Sequence, residues 1–121
     1  MLSQLASELE AAGPEVIVLG GDLADFPWGH SGLRACLEQL QQVCPVLAIP
    51  GNHDHWIGLS RLKRNLPGLI WLDEAAWQGP GSLRLCGRVD QGATDQSVLV
   101  GHHPTSVKAA ARAGFSLMLA G

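Results

Sequence analysis

Apolar residues along this chain come in short bursts whose spacing switches between a helical and an extended period. Leu2, Leu5 and Leu9 repeat at helical spacing, with Ser3 as a candidate cap and Gly13-Pro14 as the stop. Val16-Ile17-Val18-Leu19 follows as a strand-like run that ends abruptly in Gly20-Gly21-Asp22. A second helix is predicted over residues 31–42, with Leu33, Cys36, Leu37 and Leu40 on one face. Residues 45–49 read as a buried strand that stops at Pro50-Gly51-Asn52-His53-Asp54. A short helix over residues 59–65, closed by Pro67-Gly68, precedes a brief strand at 70–72. Residues 73–82 read as a linker with turn chemistry at Gly79-Pro80-Gly81. Strands are predicted over 83–87 and 97–100, the second ending in Gly101-His102-His103-Pro104. A helix over 105–113 stops at Gly114, and a last strand runs through 115–120. Strands that alternate with helices make the class α/β, with a substantially parallel sheet.

Composition narrows this picture. A chain of 121 residues and 12.8 kDa allows one small domain, residues 1–121, with a thin core. With 46% hydrophobic and 16% charged residues, global disorder is excluded. The formal charge of −3 and the lack of a basic stripe argue against a nucleic acid held through its phosphates. The longest apolar runs are strand-sized, far short of a membrane span. No segment reads as a secretory signal, so a cytoplasmic place is the expectation. Cys36, Cys44 and Cys86 form no Cys-x-x-Cys pair and leave an odd count, which predicts reduced, buried thiols. Trp28, Trp56, Trp71 and Trp77 read mainly as packing residues, the first two flanking the polar loops.

The chemistry gathers at three strand ends. Each is a glycine followed at once by a metal-competent or titratable group: Gly21-Asp22, Gly51-Asn52-His53-Asp54 and Gly101-His102-His103. Ligands of open α/β sheets bind outside the carboxyl ends of the strands. Parallel neighbouring strands would therefore bring Asp22, Asn52, His53 and His102 to one rim. Carboxylate, amide oxygen and imidazole together suit a divalent transition metal better than calcium.

With Gly21-Asp22-Leu23-Ala24-Asp25, Gly51-Asn52-His53-Asp54 and Gly101-His102-His103-Pro104 in order, the chain resembles the calcineurin-like metallophosphoesterases. That resemblance implies an α/β/β/α sandwich with the motif loops at the strand ends. It also implies hydrolysis of phosphomonoesters or phosphodiesters at a dinuclear centre of Mn, Fe or Zn. By the same resemblance Asp22 is the bridging carboxylate, and Asn52 and His102 are ligands of the second metal. His53 is the catalytic imidazole facing the substrate phosphate, and Asp25 is the carboxylate that orients it. The family's opening Asp-x-His and closing Gly-His-x-His have no match here, so the chain reads as an internal portion of the family domain. A portion lacking sheet strands is expected to self-associate as a homo-oligomer or aggregate.

Plainer readings stand beside these. Asp22 and Asp25 suit a helix cap, and Asn52-His53-Asp54 suits a polar turn. His55 and His103 read as rim residues and His30 as a solvated loop residue. The rival to the enzyme is a truncated, non-catalytic homologue that binds at most one metal.

Overall fold

The computed structural model describes residues 2–21, 23, 29–51, 54, 58–94, 96–102, 107–115 and 117–120. These fall into two compact units, Met1–Ile70 and Trp71–Gly121.

In the first unit, helix α1 (Leu2–Ala12) begins one residue before Ser3, which therefore lies inside the helix and is not its cap. The helix closes at Gly13, whose N–H donates to the Glu10 carbonyl at 3.1 Å. Strand β1 (Ile17–Leu19) pairs in parallel with β2 (Val46–Ala48), in the register Ile17 to Val46, Val18 to Leu47 and Leu19 to Ala48. Val46, Leu47 and Ala48 are buried without exception, as a run with no polar alternation requires.

Helix α2 (Gly29–Gln41) lies between these strands in the chain and contacts both α1 and β2. Leu33, Cys36, Leu37 and Leu40 are all buried, so the predicted apolar face is the core face. Its exposed side carries the Arg34–Glu38 ion pair at 3.5 Å, one turn apart. The helix starts two residues before the predicted onset, which takes His30 out of the expected loop and into its first turn. Apolar periodicity begins only at Leu33, so it could not register that turn. Helix α3 (Leu59–Asn65) buries Leu62 and carries Lys63 and Arg64 in its last turn, where cations complement the helix dipole. Strand β3 (Ile70–Trp71), where the two units join in the chain, completes a three-stranded sheet in the order β1-β2-β3.

The second unit holds a four-stranded sheet in the order β4-β5-β6-β7. Its members are β4 (Trp77–Gln78), β5 (Arg84–Cys86), β6 (Ser97–Gly101) and β7 (Leu117–Ala120). The pairs β5–β6 and β6–β7 run parallel, and β4 runs antiparallel to β5. The expected linker at 73–82 thus contains a strand: Trp77 faces Leu85, Gln78 faces Arg84, and the Gly79 N–H donates to the Leu83 carbonyl at 2.9 Å. A two-residue strand is too short to show alternation, and only its partner defines it.

Helix α4 (Val107–Arg112) ends in a Schellman closure. The Phe115 N–H donates to the Ala110 carbonyl at 3.0 Å and the Gly114 N–H to Ala111 at 3.2 Å, with Gly114 at φ 94°. That turn delivers Phe115 into a core with Cys86, Leu99 and Ala110, against which Val89 and Met118 pack.

Polar clips hold much of what remains. Gln91 Oε1 accepts from the Gly87 and Arg88 N–H groups at 2.8 and 3.1 Å, while its Nε2 donates to the Leu72 carbonyl at 2.6 Å. Arg84 donates to the carbonyls of Gln91 and Gly92, and buried Ser97 accepts the Thr94 N–H at 2.7 Å.

All three cysteines are free. Cys36 and Cys86 are buried as predicted, but Cys44 is only half-buried, because it lies just past the end of α2 instead of on its inner face. Among the described residues no helix is long and apolar enough to cross a membrane.

Candidate functional site

Two of the three glycine-ended strands leave the same sheet side by side. The parallel pairing of β1 and β2 continues past the strands, because the Ile49 N–H donates to the Leu19 carbonyl at 3.2 Å. From that last rung the chain runs on to Gly20-Gly21 on one strand and to Pro50-Gly51 on its neighbour. Both exits lie at carboxyl ends, the edge where open α/β sheets bind ligands. Gly21 holds φ at 106°, a backbone state that side chains disfavour, so glycine is required there. Asp22 and Asn52 are the next residues in the chain. They, with Asp25 and His53, lie outside the described residues, as do His55, His103, Trp28 and Trp56.

Asp54 closes the second exit. It is fully buried, and its Oδ2 accepts the Gly51 N–H at 2.9 Å. Its backbone is helical, and its carbonyl accepts the Gly58 N–H at 3.2 Å. The bond joins an acid to the backbone N–H three residues before it. The motif contains Asp54, yet the sequence reading assigns it no task. The Gly-x-x-Asp spacing is the signal that could have found it.

The third motif belongs to the other unit. His102 follows the last residue of β6, where Gly101 pairs with Ala120 of β7, and is half-buried. The expectation that all motif strands are neighbours in one sheet therefore holds for β1 and β2, while β6 lies in a different sheet. Parallel pairing needs adjacency in space, which apolar runs alone do not encode.

Among the described residues no cluster of three or more His, Cys, Asp or Glu side chains forms a metal cage. The donor chemistry of the motif positions nevertheless fits a divalent transition metal: a carboxylate, an amide oxygen and an imidazole, each following a strand end in the sequence.

No curated protein and no solved structure matches the chain. A family model does: that of the calcineurin-like phosphoesterases, over residues 1–117. The match takes in all three strand-end motifs, and the helices and mixed sheets seen here agree with it. The chain belongs to the calcineurin-like phosphoesterase family.

Proposed function

We propose that this chain is a metal-dependent phosphoesterase domain acting on phosphomonoesters or phosphodiesters. Membership of the family supports phosphoesterase chemistry in general. The observation that carries the finer reading is the parallel exit of β1 and β2, which sends the chain into Asp22 and Asn52 from adjacent strand ends. Asp22, Asn52 and His102 would hold the metal, with Asp22 as the carboxylate shared between two ions of a dinuclear centre. Mn, Fe and Zn all suit these donors. Bound ions supply Lewis-acid polarisation of the phosphoryl group.

The remaining work falls to side chains. His53 holds a proton on its imidazole and delivers it to the leaving oxygen. Asp25 orients that ring and favours its protonated form, as a carboxylate beside an imidazole does. A substrate whose leaving group is already a stable anion needs that proton less.

The test compares metal content and turnover, with Mn²⁺ as the added metal and aryl phosphates and phosphodiesters as substrates. His53→Asn is expected to leave Mn²⁺ binding unchanged and lower turnover by roughly 10²–10⁴-fold, with a smaller loss for nitrophenyl than for alkyl esters. Asp22→Ala is expected to abolish Mn²⁺ binding. Loss of metal in His53→Asn, or an equal loss on good and poor leaving groups, would refute the acid assignment.

A further inference from the structure

We infer that Asp54 is a positioning residue, whose carboxylate holds the segment that presents Asn52 and His53. This inference rests on the metal-dependent reading above and deepens it.

A carboxylate is almost never fully buried unless it is paired or hydrogen-bonded. Asp54 is 0% exposed, and its Oδ2 takes the Gly51 N–H in a buried bond of 2.9 Å. That bond closes a ring of covalent chain containing two residues, Asn52 and His53, the proposed ligand and the proposed acid. Both ends of the ring are anchored. Upstream, Ile49 is tied to Leu19 across the parallel sheet at 3.2 Å. Downstream, the Asp54 carbonyl accepts from Gly58 at 3.2 Å, and the Gly58 carbonyl accepts from Leu62 at 3.1 Å. Leu62 is itself buried in α3 at 1% exposure. Asp54 therefore links the end of a paired strand to helix α3 across the two residues where the chemistry is proposed. Asparagine keeps an acceptor oxygen of the same reach. Alanine removes it and leaves a buried N–H without a partner.

The experiment titrates the full chain with Mn²⁺ alone, reading free Mn²⁺ by electron paramagnetic resonance, at a temperature where circular dichroism shows every variant folded. Asp54→Ala is expected to weaken Mn²⁺ binding about 10-fold or more, the usual cost of removing a partner behind a ligand, with Asp54→Asn within about 3-fold of the parent. Leu40→Ala, which lowers stability in the same unit and lies outside these anchors, is expected to leave Mn²⁺ affinity unchanged. Parent chain that binds no Mn²⁺ overturns the metal reading and the role of Asp54 with it. Parent chain that binds while Asp54→Ala binds equally well overturns the role of Asp54 alone. A loss of affinity in Leu40→Ala as large as that in Asp54→Ala also overturns that role.

Should Asp54→Ala fail to fold, hydrogen exchange at the Gly51 amide in Asp54→Asn decides. Protection and affinity kept together, or lost together, support the assignment. Either one lost without the other overturns it.

Discussion

Residues 1–70 and 71–121 reach stability by different routes. The first unit relies on apolar continuity: β2 is buried along its whole length, and four inward residues of α2 are each 3–4% exposed. The second has a smaller core around Cys86, Leu99, Ala110 and Phe115, and its strands are tied by side-chain hydrogen bonds from Gln91, Arg84 and Ser97. Its outer strand β7 leaves Leu117 and Leu119 about half exposed, at 52% and 50%. A run of hydrophobic residues can build a sheet only where both faces are covered. Where they are not, individual polar contacts must hold the backbone in place. The sequence motifs divide the same way: two follow strands of the well-packed parallel sheet, and the third follows β6 of the second unit.

If packing dominates the first unit, the largest loss should come from Leu47→Ala in the centre of β2. With Leu47 at 0% exposure, the expected cost is about 2–5 kcal/mol in urea denaturation. A cost below about 1 kcal/mol would erase the contrast between the units.

Close backbone approach governs the second unit, and Gly87→Ala probes it. A Cβ there would sit 2.7 Å from the Leu72 carbonyl carbon and oxygen, on the path that Gln91 clips together. The expected loss is about 1–3 kcal/mol, read as a fall in melting temperature. Unchanged stability would show that the Leu72–Gly87 crossing is loose.

A smaller effect tests the uncovered outer strand. Among the described residues β7 pairs only with β6. Leu119→Lys is expected to reduce self-association in light scattering with little change in melting temperature, since charge on an edge strand opposes further pairing. Equal scattering before and after the change would place any association elsewhere.

The smallest effect is electrostatic. Burial pushes the Cys36 thiol above its ordinary pKa of 9.0, because the interior disfavours the thiolate. The unfolded chain therefore loses this proton first. The stability this group contributes is complete below the unfolded pKa and is lost as pH rises through the folded one. Denaturation midpoints should decline as pH rises past the thiol's ordinary pKa of 9.0, and Cys36→Ala should flatten that slope. A slope identical in the two proteins would remove Cys36 as its source.

Legibility followed the same division. Helices α1, α2 and α3 and strands β1, β2 and β6 follow from apolar periodicity and glycine or proline stops, as does the inward face of α2 through Leu33, Cys36, Leu37 and Leu40. The α/β class and the family resemblance were also present in the one-dimensional pattern, because strand ends and the polar residues after them are local in sequence. Strand β4, the hydrogen bond of Asp54 to Gly51 and the partition into two sheets were not. Trp77 and Gln78 become a strand only through Arg84 and Leu85, and Asp54 acquires its bond only when Gly51 turns back toward it. Hydrophobic period and turn chemistry are properties of neighbouring residues, so the sequence alone determined most of the elements, their order and the strand ends that carry the motifs. Pairing, burial of a carboxyl group and adjacency of strand ends depend on contacts between residues brought close by folding, so only the tertiary structure decided them.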